Sequence, residues 1–111
     1  MTAAAEYEPT YVRACSVAAL SDESALGVEI DDVPVCLAKS QGQVFAIADI
    51  CSHADVNLSE GEVEDGTVEC WLHGSRFDLR TGQPTGLPAT RPVPTYAVKI
   101  EGDDVYVAIK E

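Results

Sequence analysis

The sequence predicts an all-β protein: small antiparallel sheets packed as a sandwich or barrel, with a hairpin region inserted at one end. Short apolar runs with two-residue alternation are separated by acidic or glycine-containing turns, which is typical of β-hairpins. No window shows the periodicity of a long amphipathic helix. Four prolines between residues 84 and 94 disfavour a helix or a central strand in that segment. The chain of 111 residues is predicted to form one domain over 1–111.

Strands are predicted wherever the alternation is clear, and they cover residues 11–17, 26–30, 33–37, 44–48, 96–100 and 105–109. Residues 1–9 lack periodicity, so we expect a loose N-terminal tail. Pro34 cannot donate a hydrogen bond to a neighbouring strand, and its strand should therefore lie at a sheet edge or begin there. A further small hairpin is predicted around Asp65-Gly66, because this dipeptide favours a tight turn.

Both histidines of the chain closely follow a cysteine. One residue separates Cys51 from His53, two residues separate Cys70 from His73, and sixteen residues lie between the two pairs. Each pair can present one sulfur and one nitrogen to the same small volume, and the intervening hairpin would bring the second pair back beside the first. The spacing therefore predicts one metal site with four ligands.

Two kinds of metal site can use these ligands. A tetrahedral zinc site can be built from two Cys and two His, but zinc sequences usually pair Cys with Cys and His with His. In the Rieske [2Fe–2S] centre two Cys hold one iron and two His hold the other, so mixed pairs follow naturally. The mixed pairs favour the iron–sulfur cluster, one per chain, and a structural zinc module for protein contacts is the alternative.

The run C-x-H-x16-C-x2-H resembles the signature of the Rieske family, and small bacterial Rieske ferredoxins in particular. Residues 73–78 and 81–82 look like the segment after the second ligand pair in these ferredoxins, and residues 86–89 look like their proline-containing loop. The similarity covers residues 11–109 and implies the Rieske fold. Respiratory and photosynthetic Rieske proteins also carry two further loop cysteines and a membrane anchor, and this chain shows neither.

The resemblance implies roles for four residues beside the cluster. Pro88 belongs to the loop that lies against it, and Ser75 is expected to donate a hydrogen bond to a cluster sulfur. High-potential Rieske proteins have a Tyr donor where this chain has Phe77, so the chain keeps one of two donors. Trp71 either limits water around the cluster or is a half-buried apolar residue.

Composition limits the partners and the compartment. The formal net charge of −12 disfavours nucleic acid and anionic lipid and favours a basic protein partner. No apolar run approaches the roughly 20 residues that span a membrane, and the N-terminus lacks the features of a secretory signal, so we expect a cytoplasmic protein. Cys15 and Cys36 lie in apolar strand-like runs, where we expect them to be buried packing residues.

The resemblance implies a soluble one-electron carrier that passes electrons from a flavoprotein ferredoxin reductase to a terminal oxygenase. Nitrite-reductase-like and iron–sulfur assembly systems are alternative partners. The sequence shows no nucleophile with a base and no cofactor-binding glycine motif, so we expect an electron-transfer protein rather than an enzyme. A regulatory iron–sulfur sensor is a third possibility, but it would need an effector-binding surface that the acidic sequence does not suggest.

Overall fold

The computed structural model describes residues 10–51, 56–72, 74–87, 89 and 91–109. The predicted tail, His53, His73 and Pro88 lie outside these residues. Within them, nine strands form two sheets: β1 Val12–Ser16, β2 Ser24–Ile30, β3 Val33–Ser40, β4 Gln43–Ala48, β5 Val63–Glu64, β6 Thr67–Glu69, β7 Arg76–Asp78, β8 Thr95–Glu101 and β9 Asp104–Ala108. Single 3-10 helical turns lie at Val17–Ala19 and Leu58–Glu60. No helix in this part of the chain is long and apolar enough to cross a membrane.

The larger sheet has the strand order β1-β9-β8-β4-β3-β2, and all of its pairings are antiparallel. Its two outer strands, β1 and β2, contact each other, so the sheet curls into a nearly closed barrel. The smaller sheet, β5-β6-β7, is inserted between β4 and β8. The predicted all-β architecture with an inserted hairpin region is therefore confirmed.

Three hairpins turn through two residues that both have positive φ. These pairs are Asp31-Asp32 (52° and 68°), Gln41-Gly42 (54° and 80°) and Asp65-Gly66 (53° and 77°). Turns with this left-handed backbone match the right-handed twist of the paired strands and keep the hairpins tight. The third turn confirms the hairpin predicted from the Asp-Gly dipeptide.

Of the two positions predicted for Pro34, a sheet edge or the start of a strand, the structure shows the second. Strand β3 is not an edge strand, because it lies between β2 and β4, but Pro34 does lie at its start. Pro34 pairs with Glu29 of β2 next to the two-residue turn, where antiparallel geometry points the backbone N and O away from β2. On that side β4 pairs only from Val35 onwards, so no ladder bond needs the missing N–H. The Pro34 carbonyl accepts the N–H of Asp49 at 3.2 Å instead.

Strand β3 divides the core into two clusters, because its alternate side chains point to opposite faces. Val35 and Leu37 belong to the barrel cluster, together with Cys15, Leu20, Ile30, Ala46, Val105 and Val107. Cys36 and Ala38 belong to the second cluster, which includes residues of the small sheet and the loops around it: Ile47, Ala48, Cys51, Leu58, Val63, Val68, Cys70, Phe77, Leu79, Ala89 and Val93. The second cluster fixes the small sheet against the barrel.

A hydroxyl and a carboxylate join the turns of the two sheets. Ser40, which is 1% exposed, donates from Oγ to the Glu23 carboxylate at 3.0 Å and accepts the Gly66 N–H at 2.8 Å. Glu23 also accepts the backbone N–H groups of Gln41 and Asp65, at 3.0 and 3.2 Å. The β3–β4 turn and the β5–β6 turn are therefore held together by one polar network.

Replacing Ser40 by Ala should lower the free energy of unfolding by about 1–3 kcal/mol, because it leaves the Gly66 N–H without its acceptor. Ser24→Ala is the matched control, since the Ser24 hydroxyl donates only to the Ser21 carbonyl at an exposed site. We expect the control to cost less than about 1 kcal/mol. Denaturant unfolding followed by Trp71 fluorescence measures both, and equal losses would contradict this account of the network.

Candidate metal centre

The fold brings the two motif cysteines into one buried cluster. Cys51 follows the end of β4 and is 4% exposed, and Cys70 follows β6 directly and is fully buried. Both belong to the cluster between the barrel and the small sheet. The hairpin around Asp65-Gly66 therefore returns the chain to the buried cluster that contains Cys51.

The two cysteine loops are closed in the same way. The Cys51 N–H donates to the Val56 carbonyl at 3.0 Å, and the Cys70 N–H donates to the Ser75 carbonyl at 2.6 Å. Each bond joins a cysteine to the carbonyl five residues later. In the second loop the Gly74 N–H also donates to the Cys70 carbonyl at 2.8 Å, with Gly74 at a φ of 82°. The sequence showed the spacing of the two pairs but not this matched closure.

Ser75 is a buried polar residue of the second cysteine loop. It is 1% exposed, and its Oγ accepts the Ala89 N–H at 3.0 Å, which ties the proline-containing loop to the second cysteine loop. Among the described residues, the Ser75 hydroxyl proton has no acceptor. A buried hydroxyl normally donates as well as accepts. A sulfur atom beside Cys70 would supply the missing acceptor, so the residues present fit an iron–sulfur cluster.

The aromatic residues of the motif have different environments. Phe77 is fully buried, pairs with Val68 across β6–β7 and forms a bridge with Pro84. Trp71 is 50% exposed and Leu72 is 46% exposed, so the residues that follow Cys70 lie at the surface. Of the two roles predicted for Trp71, a half-buried apolar residue agrees with this exposure. These side chains form an exposed apolar surface beside the site.

The residue that anchors the first cysteine loop is not among the site residues predicted from the sequence. Asp49 is 5% exposed, and its carboxylate accepts the Ser59 N–H at 2.6 Å, the Ser59 hydroxyl at 2.7 Å and the Asn57 amide at 3.3 Å. A methyl group at Gly27 would lie 2.7 Å from Ser59 Oγ and 2.9 Å from Asp49 Oδ2, so only glycine leaves room for this contact. The loop that contains Cys51 is therefore closed at its base by a buried carboxylate.

Cys36 lies in the same core cluster as the motif cysteines but has a different environment. It is fully buried, and this burial, together with the nearby charge of Asp49, raises the pKa of its thiol far above the usual value. The thiol therefore stays protonated, whereas a metal ligand must be a thiolate. The prediction that Cys15 and Cys36 are buried packing residues is confirmed.

Two of the acids between the ligand pairs face an arginine. The Arg76 guanidinium lies 3.7 Å from the Glu69 carboxylate and 3.9 Å from the Glu64 carboxylate, and its Nε donates to Thr67 Oγ1 at 2.8 Å. In the described part of the chain, one buried Nη of Arg76 has no hydrogen-bond partner. Part of the negative charge between the ligand pairs is therefore balanced locally.

The model of the Rieske [2Fe–2S] domain family matches residues 10–97, so the chain belongs to that family. It is 45% identical over 96 residues to the ferredoxin component of biphenyl 2,3-dioxygenase from Rhodococcus jostii, covering 86% of this chain and 90% of that protein. The chain is a Rieske-type ferredoxin, a one-electron carrier with one Rieske cluster. This confirms the iron–sulfur interpretation over zinc.

Solved structures have the same fold. The ferredoxin of carbazole 1,9a-dioxygenase from Nocardioides aromaticivorans matches with a TM-score of 0.87 and 36% identity, covering 91% of this chain and 99% of that one. A structure described as the complex of reduced oxygenase and oxidized ferredoxin in carbazole 1,9a-dioxygenase matches with a TM-score of 0.83 and 27% identity, covering 91% and 94%. Proteins described as small subunits of nitrite reductases match at 23% identity, which shows the fold alone.

Replacing Asp49 by Ala should destabilise the protein by about 2–4 kcal/mol, because it removes the buried carboxylate that accepts the N–H and the hydroxyl of Ser59. The first cysteine loop should loosen, so iron should be lost faster from the purified protein. Asp49→Asn keeps the shape and one acceptor oxygen, and we expect it to lose less stability and less iron than Asp49→Ala.

Iron content against time and denaturant unfolding measure the two effects. An Asp49→Ala protein that keeps its iron and its stability within about 0.5 kcal/mol of wild type would show that Asp49 is not an anchor.

Proposed function

We propose that Cys51 and Cys70 hold one iron of the Rieske cluster, that His53 and His73 hold the other, and that the protein passes electrons from a flavoprotein reductase to a terminal oxygenase. The observation that carries the ligand assignment is the burial of both thiols in one cluster, on two loops closed by the same hydrogen bond. The 45% identity to a dioxygenase ferredoxin component supports the oxygenase as acceptor.

The surroundings of the two thiols suggest where electrons enter and leave. Cys70 is fully buried, but the next residue, Trp71, is half exposed, and Ile50 just before Cys51 is 46% exposed. A partner that covers these apolar side chains would exclude water at the end of the molecule where the ligand loops lie. We therefore propose this end as the surface for electron transfer.

The protein acts in the cytoplasm as a carrier, and the substrate is converted on the oxygenase. When bound, a Rieske cluster supplies a one-electron acceptor with a potential of roughly −150 to +300 mV. The described residues contribute the thiolates, a buried hydroxyl donor at Ser75 and an apolar enclosure that includes Phe77. These groups position and tune a redox centre rather than activate a substrate.

Reconstitution with the reductase and oxygenase components of biphenyl 2,3-dioxygenase tests this function. We expect NADH-dependent oxygenation of biphenyl only when this ferredoxin is present. Cys70→Ser should lose the cluster and this activity, whereas Cys15→Ser should keep both, because Cys15 lies in the separate barrel cluster. A Cys70→Ser protein with a full cluster, or oxygenation that does not need the ferredoxin, would contradict the proposal.

The reduction potential should lie in the lower part of the Rieske range. An added electron places negative charge in a buried site, where a hydrogen bond to a charged acceptor contributes about 1.5–3 kcal/mol. The buried Ser75 hydroxyl would make one such bond, and the buried Phe77 ring cannot make another. The 19 acidic residues disfavour the reduced state further.

Phe77→Tyr should raise the potential, because the new hydroxyl can donate a second hydrogen bond to the reduced cluster. A bond of about 1.5–3 kcal/mol corresponds to a shift on the order of 60–130 mV, since 59 mV is a tenfold change in a one-electron equilibrium. Ser75→Ala should lower it by a similar amount. Protein-film voltammetry on the three proteins measures both shifts. A wild-type potential near the +300 mV upper end of the Rieske range would contradict the argument. So would a Phe77→Tyr protein whose new hydroxyl bonds a ligand sulfur without raising the potential.

A further inference from the structure

A shallow cavity of about 290 Å³ lies beside the metal centre, lined by Ile50, Arg91, Pro92, Val93 and Pro94. Ile50 directly precedes Cys51, so the cavity is one residue away from a proposed ligand. Pockets for small-molecule ligands usually measure about 300–1,000 Å³. A cavity of this size suits one large side chain of another protein better than a cofactor or substrate.

The proline wall of the cavity is held in place from both sides. The Val93 N–H donates to the Gly82 carbonyl at 2.9 Å, and the Pro94 carbonyl accepts the Ala48 N–H at 2.9 Å. Gly82 packs so closely against the Val93 carbonyl that a larger residue would collide with it. Pro92 and Pro94 have no N–H, so this wall presents apolar rings and no spare backbone donor. The occupant should therefore be apolar, and the wall need not rearrange to receive it.

Arg91, at the edge of the cavity, is exposed and differs from the other arginines of the chain. Arg13 pairs with Asp104, Arg76 with Glu69 and Glu64, and Arg80 with Gln43. Among the described residues, Arg91 has no hydrogen-bond or ion-pair partner, although the chain contains 19 acids. A guanidinium presents a planar fork that matches a carboxylate with two hydrogen bonds.

We propose that these five residues, which we call the Arg91 groove, receive an apolar side chain of the terminal oxygenase while Arg91 binds a carboxylate next to it. The inference rests on the proposed function, and it names the part of the oxygenase that the ferredoxin recognises. The oxygenase is the chosen partner because a similar ferredoxin is described in a complex with its oxygenase.

The positive charge of Arg91 on an acidic protein gives this contact a role in specificity. A net charge of −12 attracts a basic partner surface in many orientations, since long-range attraction does not fix how the two proteins are oriented relative to each other. One arginine that requires a carboxylate at one place selects the orientation in which the groove is filled. Because the groove adjoins Cys51, that orientation also brings the metal centre close to the partner.

Charge reversal separates this contact from the effect of net charge. Arg91→Glu and Arg80→Glu change the net charge equally, but Arg80 lies with Gln43 and Phe45 at the opposite end of β4 from Ile50. The probe is the oxidised terminal oxygenase component of biphenyl 2,3-dioxygenase. Stopped-flow absorbance gives the second-order rate constant for its reduction by each reduced ferredoxin, at low and at physiological salt.

We expect Arg91→Glu to lower this rate constant about tenfold at low salt. Arg80→Glu should leave it within about twofold or raise it, because a basic partner surface attracts a more acidic ferredoxin. Ile50→Ala should lower it as well, with an unchanged visible spectrum and potential. Reduction of Arg91→Glu by the flavoprotein reductase should match wild type.

A rate constant that rises in Arg91→Glu, or that changes equally in both arginine variants, would overturn the inference, because net charge alone would explain it. A loss confined to the reductase reaction would also overturn it. No electron transfer from wild type to the oxygenase would overturn the proposed function and the inference together. Transfer by wild type with no loss in Arg91→Glu would overturn the inference alone.

Discussion

The structure depends on holding two cysteine loops, from different sheets, against one buried volume. The first loop follows the barrel strand β4 and the second follows β6 of the inserted sheet. In each loop the cysteine N–H is bonded to the carbonyl five residues later, which limits the conformations open to the loop. The same kind of backbone bond therefore holds both thiols in the buried cluster that they share.

The rest of the fold keeps these loops in register. Strand β3 is buried on both faces and contributes side chains to the barrel cluster and to the second cluster, which contains the motif cysteines. Asp49 closes the base of the first loop, and the Ser40–Glu23 network joins the turn of the inserted hairpin to the barrel. The polar contacts fix position where apolar packing alone would allow sliding. Displacement of either loop would separate the thiols, although neither contact touches them.

The sequence predicted the parts of the molecule whose signals are local. Alternating apolar residues and turn pairs such as Asp65-Gly66 depend on near neighbours, so strands and hairpins were correctly placed. Asp49 looks like any other acid until Ser59, ten residues later, is known to face it, and its role could not be predicted. For Pro34 the sequence predicts a sheet edge or a strand start. It does not show that β3 lies between two strands, or that its pairing with β4 begins only at Val35, the residue after Pro34. The roles of His53, His73 and Pro88 remain predictions, since they lie outside the described residues.

The central claim is that each loop supplies one sulfur and one imidazole to the cluster. Pulsed EPR of the reduced protein, grown with ¹⁵N-labelled histidine, tests it most directly, because a bound imidazole nitrogen couples to the electron spin. We expect couplings from two histidines, with one lost in each of the His53→Ala and His73→Ala proteins that retain iron. A reduced cluster without histidine couplings, or a colourless protein that holds one zinc per chain, would contradict it.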